Sequence, residues 1–587
     1  MAPSARPEGA EVREVAEVAE VTEGGEAGEV MAAGAEPGRP GSFGGFVEVA
    51  DAIRDAPGKL AKTRLLAEFL RDLPPEDLAQ AAIYFTGAAF PPASGRTLQA
   101  GYAQLISAAL SVTGAGGEEF GREFLRFSDL GEAIGSLYAA DRPPSGLSLA
   151  ALARELEGIA EAPAGTAKTP LVTALFARLD AREALYLAKI VTGDLRIGLK
   201  EGLVEEAVAA AFAAPAKEVR RAHQLTGDLG RTAVAAREGA LAGLDVRLFT
   251  PLKPMLATAE SDPAAIAQRL GGELWIEDKF DGIRAQAHVA PGRVALYSRD
   301  LKEVTGQFPE VAAALEALPG TLILDGELLA YRDGAALPFL DLQKRLGRKA
   351  PGAAALAAVP VVYFAFDLLY QDGALLDQPL RERRSRLEAL PRPGALQLSP
   401  LRVRPPEELE REFGAARERA NEGLMIKAPE SPYVPGRRGM SWLKYKRPLE
   451  PLDVVVTGVE YGHGRRRAVL SDYTFAVRDA ESGELVNVGK AYTGLTDAEI
   501  EQLTEYFRRN TLRSYGRFQL VRPELVIEVA FEAIQKSARH RSGYALRFPR
   551  IVRLRPDKSP AEINTLADVA RLYESYRAVY ERGAGEE

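Results

Sequence analysis

One lysine of this sequence stands in a setting suited to nucleotidyl transfer. Lys279 lies in the stretch 277–284 (EDKFDGIR), among charged residues and just before the turn dipeptide Asp281-Gly282. A protonated lysine is a poor nucleophile, but burial or neighbouring cations lower the pKa of its amine enough for attack on phosphorus. Most lysines beside turns are merely solvated, so this stretch alone leaves both interpretations open.

Four segments downstream contain the residue types that a lysine-centred phosphoryl transfer needs. Segments 324–328 (LDGEL) and 422–427 (EGLMIK) each place a carboxylate beside a glycine and an apolar strand, where it can bind Mg²⁺ or a ribose hydroxyl. Segment 364–370 (FAFDLLY) offers an aromatic face for a base. In 442–446 (WLKYK) two lysines alternate, so both are expected on one face of a strand, where they would lower the pKa of a nearby lysine. Singly, each segment is better explained as ordinary structure.

The elements that must position these groups follow from apolar periodicity. Alternation before Lys279 (Leu274, Ile276) and after it (Ala285, Ala287) predicts two strands that meet at Asp281-Gly282. Further strands are predicted at 321–331, 361–370, 423–427 and 453–461. Because helical stretches alternate with the earlier ones, an α+β region followed by a mainly β region is expected, with a boundary near Arg447-Pro448.

The preceding part of the chain, residues 46–249, has a helical pattern. Apolar residues at 65, 66, 69, 70 and 73 share one face before Pro74-Pro75 ends the segment. A loop at 192–202 (TGDLRIGLKEG) carries three glycines and two cations, Arg196 and Lys200, into a helix. Its backbone amides can hold a DNA phosphate, although a plain interhelical loop is the more frequent explanation.

Length and composition limit the number of domains and the classes of protein to which this chain can belong. A length of 587 residues predicts three or four domains, and no apolar run approaches the roughly 20 residues of a membrane span. The absence of cysteine excludes disulfides, thiolate catalysis and Cys-type zinc modules and fits a reducing cytoplasm, while four histidines make a His-built metal site unexpected. The net charge of -8 argues weakly against a polyanionic partner, yet residues 501–558 hold thirteen basic and six acidic residues.

Residues 1–45 are predicted to form a disordered acidic tail. They contain nine Glu and three Arg with almost no large apolar residues, so they cannot bury enough surface to offset the entropy of ordering. The tail lacks the basic start and apolar centre of a secretion signal. Met31 within it offers an alternative start site.

Taken together and in this order, the segments closely resemble ATP-dependent DNA ligases, members of the covalent nucleotidyltransferase superfamily whose motifs include a KxDGxR signature. That signature is Lys279, Asp281, Gly282 and Arg284 here. The later family motifs appear as Ser298-Arg299, Asp325-Gly326-Glu327, Phe366-Asp367, Glu422-Gly423, Lys444 with Lys446, and 547–550 (RFPR) continuing to Asp557-Lys558. Segment 339–348 also looks like this family, and the loop 195–202 resembles the N-terminal DNA-binding domain of archaeal and eukaryal-type members. The resemblance extends from about residue 50 to residue 570.

The resemblance implies a multidomain fold. After the tail 1–45, an all-α DNA-binding domain would occupy 46–249 and an α+β nucleotidyltransferase (adenylation) domain 250–447. A β-barrel of the OB-fold type with a C-terminal helix would occupy 448–587. The OB domain would swing over the nucleotide and away again about a pivot near Arg447-Pro448.

The resemblance also implies a three-step reaction. Lys279 would attack the α-phosphorus of ATP and leave lysyl-AMP and pyrophosphate; AMP would pass to the 5′-phosphate at a nick; the 3′-hydroxyl would then expel AMP. By this resemblance Glu277 would contact the adenine amine, Phe366 would stack on the base, and the ribose or phosphates would be contacted by Arg284, Arg299 and Arg438. Ribose and Mg²⁺ would be bound by Glu327 and Glu422, and the α-phosphate by Lys444 and Lys446. Pyrophosphate would be oriented by Arg550 and Lys558, and DNA would be bound by Arg196 and Lys200.

The sequence therefore predicts a monomeric, cytoplasmic, nucleoid-associated enzyme that uses ATP and Mg²⁺ to seal nicked duplex DNA. ATP is favoured over NAD because the chain lacks the nicotinamide-recognition segment and four-Cys zinc module of the NAD-dependent relatives. An RNA ligase or a capping-type nucleotidyltransferase is the closest alternative, and the N-terminal helical domain argues against both. A non-catalytic nick-binding protein is the third hypothesis, and the retention of Lys279, Glu327, Glu422 and Lys444 argues against it.

Overall fold

The computed structural model describes residues 40–337, 339–348, 350–419, 421–446, 450–462 and 466–582. The pivot predicted at Arg447-Pro448, Met31 and nearly all of the predicted acidic tail lie outside the described residues. The described chain forms a helical region up to residue 243, a middle region from 256 to 446, and a strand-rich C-terminal region from 450 onward. None of its described helices is both long enough and apolar enough to cross a membrane.

The helical region is built on apolar faces at helical spacing. Its helices are α1 Phe43–Asp55, α2 Gly58–Arg71, α3 Pro75–Tyr84, α4 Tyr102–Thr113, α5 Gly117–Phe127, α6 Leu130–Ser136, α7 Leu149–Glu161, α8 Lys168–Phe176, α9 Ala181–Thr192, α10 Glu201–Ala211, α11 Ala216–Thr226 and α12 Leu229–Arg237. As predicted, α2 buries Leu66 and Leu70 and ends before Pro74, because proline cannot continue a helix. Helix α10 buries Val204 and Val208 on one face.

The middle region contains two sheets. Its strands are β1 Leu256–Glu260, β2 Leu274–Lys279, β3 Ile283–Ala290, β4 Arg293–Ser298, β5 Leu322–Arg332, β6 Ala335–Ala336, β7 Val361–Gln371, β8 Leu396–Leu398, β9 Arg402–Arg404, β10 Gly423–Lys427 and β11 Arg438–Tyr445. Its helices are α13 Pro263–Leu270, α14 Pro309–Glu316, α15 Phe339–Gln343, α16 Ala353–Ala358, α17 Leu380–Glu388 and α18 Leu409–Glu418. One sheet has the order β1-β11-β10-β2-β9; the other has the order β4-β3-β5-β7-β8, with β6 on β5. The strands predicted at 321–331, 361–370 and 423–427 are confirmed as β5, β7 and β10.

The two strands around Asp281-Gly282 do not pair with each other. Strand β2 pairs with β10 and β9, whereas β3 pairs with β4 and β5 in the other sheet. The turn therefore carries the chain between sheets, which alternation cannot indicate because it fixes only the faces of a strand and not its partners. A Cβ atom at Gly282 would lie 2.4 Å from the carbonyl oxygen of Leu328, so the crossing requires glycine.

The C-terminal region is mainly β. Its elements are β12 Leu452–Tyr461, β13 Leu470–Arg478, β14 Leu485–Ala491, α19 Asp497–Arg509, β15 Thr511–Tyr515, β16 Phe518–Val521, β17 Val526–Ala530, β18 Ala533–Lys536, β19 Tyr544–Arg547, β20 Arg550–Leu554 and α20 Leu566–Arg582. Strand β12 pairs with β13, β16 and β17, and β17 continues to β20. Val569 on α20 is fully buried and Tyr573 packs against Tyr544, so this helix packs against the strands of the region.

Candidate active site

Lys279 lies at the end of β2, where two elements hold it in place. The backbone amide of Glu422 donates a hydrogen bond of 2.9 Å to the carbonyl oxygen of Lys279, and Gly423 pairs with Lys279 in the sheet. The Nζ atom of Lys279 makes an ion pair with the Glu422 carboxylate. The start of β10 therefore fixes both the backbone and the ammonium group of this lysine.

Two further carboxyl groups, those of Asp281 and Glu327, interact with this ion pair. Burial, then the charge of Glu422, raises the pKa of Asp281 to about 6. Burial raises the pKa of Glu327 to about 8, against the opposing charges of Lys279 and Arg284. Burial also favours the neutral form of Glu422, but the ion pair with Lys279 outweighs it and lowers the pKa of that carboxyl. The site thus combines one carboxyl group whose pKa is lowered with two whose pKa values are raised by burial.

The predicted lysine pair spans two neighbouring cavities. Lys444 on β11 lies opposite Met425 of β10, and its pKa is lowered by burial and by the charges of Lys446 and Lys279. Lys446 follows the last residue of β11 and makes an ion pair with Glu532 of the C-terminal region. The end of β11 therefore places Lys444 in the middle region and Lys446 at the junction between the middle and C-terminal regions.

A cavity of about 210 Å³ opens beside Lys279. The predicted residues that line it are Glu277, Lys279, Arg284, Arg299, Glu327, Phe366, Arg438 and Lys444. Arg284 is held by Asp325 through two hydrogen bonds of 3.0 and 2.6 Å, and it lies over the ring of Phe366. The lining of this cavity combines carboxylates and cations with the aromatic rings of Phe280, Phe366 and Trp442, which suits a ligand that carries both charged groups and a flat ring.

A second cavity, of about 450 Å³, lies between the middle and C-terminal regions. Asp281, Glu422, Lys446 and Arg550 line it, together with Arg547. The cations Lys446, Arg547 and Arg550 line this cavity together with Glu422, and such a cluster of cations suits a polyphosphate.

Lys558 stands apart from both cavities. Its Nζ atom lies 2.6 Å from the Asp453 carboxylate, which also receives the Arg555 guanidinium at 2.9 Å. Sequence order places Lys558 just after the basic segment 547–550, but this pairing holds it near the start of β12 instead.

The glycine-rich loop 192–202 leads into α10 as predicted. Arg196 adopts a left-handed φ of 55°, and its guanidinium lies 3.0 Å from the Asp129 carboxylate. Lys200 is exposed at the position that precedes α10. Lys62 supports the loop by donating a hydrogen bond of 2.8 Å to the carbonyl oxygen of Ile197.

Sequence reasoning missed a cluster of potential metal ligands in the helical region. The Nδ1 atom of His223 lies 2.8 Å from Glu205 and 3.6 Å from Glu201. Lys253 lies 2.6 Å from Glu201, and Arg220 lies 3.4 Å from Glu205. Two cations thus balance the two carboxylates, and the cluster joins α10 and α11 to the segment that precedes β1.

Sequence reasoning also assigned no role to three residues in or beside the smaller cavity. Lys427 and Trp442 line this cavity, and Arg384 contacts Glu277 beside it. Lys427 ends the segment 422–427, and its signal was a lysine inside an otherwise apolar strand, which needs a buried partner.

Comparisons with known proteins cover most of the chain. Residues 42–209 match the family model "DNA ligase N terminus", 254–446 match "ATP dependent DNA ligase domain", and 466–558 match "ATP dependent DNA ligase C terminal region". A "Probable DNA ligase" of Koribacter versatilis is 45% identical over 90% of this chain and 96% of the relative. A "DNA ligase" of Methanothrix thermoacetophila is 38% identical over 91% and 99%.

Two further similarities differ in scope. A "Probable DNA ligase" of Opitutus terrae is 44% identical, and the match covers 90% of this chain but 62% of that relative. The solved structure titled "Pmar-Lig_PreS3" has a TM-score of 0.56 and 18% identity, covering 87% of this chain and 99% of the other. At that identity the second similarity concerns the fold alone.

Proposed function

We propose that this chain, which belongs to the ATP-dependent DNA ligase family and is a DNA ligase, seals nicked duplex DNA through an AMP carried on Lys279. The observation that carries this proposal is that Lys279 lines the smaller cavity while its ion-pair partner, Glu422, lines the larger one. The smaller cavity has aromatic walls of the kind a base requires, and the larger cavity has the cations that a leaving polyphosphate requires. A lysine in this position would face the α-phosphorus of ATP.

In the first step, the Nζ–phosphorus bond forms as the bond to pyrophosphate breaks. The amine must first give up a proton, and the Glu422 carboxylate is the group in contact with it. Phe366 would hold the base, and Arg284, Arg299 and Arg438 the ribose or phosphates. Lys444 and Lys446 would neutralise the α-phosphate, so that positioning and charge neutralisation supply most of the catalysis.

The carboxylates near Lys279 fit a divalent cation. The raised pKa values of Asp281 and Glu327 come from burial and like charges, and a cation bound by Glu327 and Glu422 would offset that negative charge. We assign Mg²⁺ to Glu327 and Glu422; when bound, it supplies charge neutralisation at the phosphates.

The three regions would divide the remaining work. We propose boundaries of 46–249 for the DNA-binding domain, 250–447 for the adenylation domain, and 448–587 for an OB-fold domain acting in a monomer. The ion pair between Lys446 and Glu532 supports a state in which the C-terminal region covers the nucleotide. There Arg550 would orient pyrophosphate, while Arg196 and Lys200 would contact the DNA backbone. For Lys558, the Asp453 ion pair would have to open before it could take part.

A nick-sealing assay tests the proposal. Wild type should join an end-labelled nicked DNA duplex in the presence of ATP and Mg²⁺, and Lys279→Ala should not. Because only the first step needs the lysine, Lys279→Ala should still join a nick that already carries AMP on its 5′-phosphate. Sealing of the ordinary nick by Lys279→Ala would contradict the proposal. A preference for nicked RNA would favour the RNA ligase alternative.

A further inference from the structure

A buried ion pair lies at the base end of the smaller cavity. The Nζ atom of Lys427 lies 2.6 Å from one carboxylate oxygen of Glu277, and the two side chains are 2% and 4% exposed. Arg384 approaches the other oxygen at 3.3 Å and is 6% exposed. Glu277 thus receives one close and one longer contact from cations that solvent barely reaches.

The same lysine lies between two aromatic rings. Its Nζ atom is 4.5 Å from the ring centroids of both Phe366 and Trp442. Lys444 and Lys446, which serve the phosphate end, are separate groups on and after β11. Lys427 is therefore a cation in the part of the site where a base would lie and where phosphate charge needs no neutralisation.

Stability gives no sufficient reason for this pair. Two buried charges must be desolvated, and replacing such a pair by apolar residues of similar volume is often neutral or stabilising. Here the carboxylate of the pair, Glu277, lines the cavity, so the orientation of Glu277 determines which ligands the cavity can bind.

We propose that Lys427 is a positioning residue that sets nucleobase specificity by holding Glu277 as a hydrogen-bond acceptor toward the 6-amino group of adenine. This inference rests on the proposed function, in which ATP occupies the cavity. An ionised carboxylate only accepts hydrogen bonds, so it matches a 6-amino donor and opposes the 6-oxo group of hypoxanthine or guanine. Hydrogen bonds donated by Lys427 and Arg384 fix the direction of this carboxylate.

Removal of Lys427 should release this constraint. In Lys427→Met, Glu277 would keep only the longer contact to Arg384, so its carboxylate could rotate out of the position that opposes a 6-oxo group. Polar groups that must pair with a substrate group are the strongest source of discrimination against an analogue that lacks it. The variant should therefore tolerate inosine triphosphate, whose base is hypoxanthine.

The test measures self-nucleotidylation of the full chain with ATP and with inosine triphosphate. In Lys427→Met, the ratio of kcat/KM for ATP to that for inosine triphosphate should fall by about tenfold or more. The loss with ATP should appear mainly in KM, because Lys427 touches no reacting atom. Lys427→Arg, which keeps a donor cation, should retain most of the discrimination. Lys490→Met, outside both cavities, should leave the ratio unchanged.

A double variant guards against misfolding. The double variant Lys427→Met, Glu277→Gln removes both charges, so no carboxylate stays buried without its close partner. Its ratio of kcat/KM for ATP to that for inosine triphosphate should fall as it does in Lys427→Met. An unchanged ratio in both folded variants would overturn the proposal while leaving the ligase function intact. If wild type incorporates neither nucleotide, the proposed function fails and this inference fails with it.

Discussion

Glu327 should make the stability of this protein depend on pH in a way that Mg²⁺ reverses. The pKa of its carboxyl is raised from 4.5 to about 8, chiefly by burial. A carboxyl with a raised pKa in the folded state stabilises the fold fully below pH 4.5 and loses that contribution as the pH rises through 8. Glu327→Gln removes the titrating group with little change in shape. The free energy of unfolding of the variant should therefore rise relative to that of wild type as the pH rises.

The size of the effect follows from the width of this window. Each pH unit between the two pKa values is worth about 1.4 kcal/mol. The gap in free energy of unfolding between Glu327→Gln and wild type should therefore widen by about 3 kcal/mol between pH 5.5 and 8. For a domain of about 200 residues, that corresponds to roughly 6–12 °C in Tm. Added Mg²⁺ should narrow the gap at the higher pH, because a bound cation stabilises the ionised carboxylate.

Differential scanning calorimetry of both proteins at pH 5.5 and 8.5, with and without Mg²⁺, measures this gap. Glu316→Gln, at an exposed position on α14, should show no pH-dependent gap and serves as the control. A gap between Glu327→Gln and wild type that is the same at both pH values would refute the assignment of Glu327 as a carboxyl that resists ionisation.

Three further predictions concern other parts of the site. Arg550→Ala should slow self-adenylation by at least about tenfold while sealing of a pre-adenylated nick persists, and Arg553→Ala on the same strand should leave both rates near wild type in rapid-quench assays. Changing Arg196 and Lys200 together to Ala should weaken nick binding and flatten its salt dependence without affecting self-adenylation; unaltered binding across a salt titration would make the loop a structural connector. Asp367→Asn should cost about 3–5 kcal/mol, seen as a lower Tm, because it leaves a fully buried arginine without its charged partner. An unchanged Tm would contradict that estimate.

The sequence predicts the strands of the site well and their partners poorly. Strand β10 has the predicted bounds of 423–427, because a short run of apolar residues reports directly on burial. Alternation carries no information about pairing, so it could not show that β2 and β3 belong to different sheets. The ordered motifs compensate, since they nominate residues that the two sheets bring to one cavity.

Individual side chains show where motif order stops being informative. Lys279 and Glu327 line the same cavity, as the motifs suggest, and their chemical roles remain predictions. Lys558 belongs to the last motif but pairs with Asp453, a partner 105 residues earlier in the chain. Lys427 drew no attention because its partner, Glu277, lies 150 residues away. Partners that distant are set by tertiary packing, which no local pattern records.

The central claim is that Lys279 is the residue that becomes covalently attached to AMP. Incubation of wild type with α-labelled ATP and Mg²⁺, followed by peptide mass mapping, should give one labelled peptide that contains Lys279, and Lys279→Ala should remain unlabelled. The wild-type label should be lost in acid, as expected for a phosphoramidate. An unlabelled wild type, or a label on another lysine that persists in Lys279→Ala, would contradict the account.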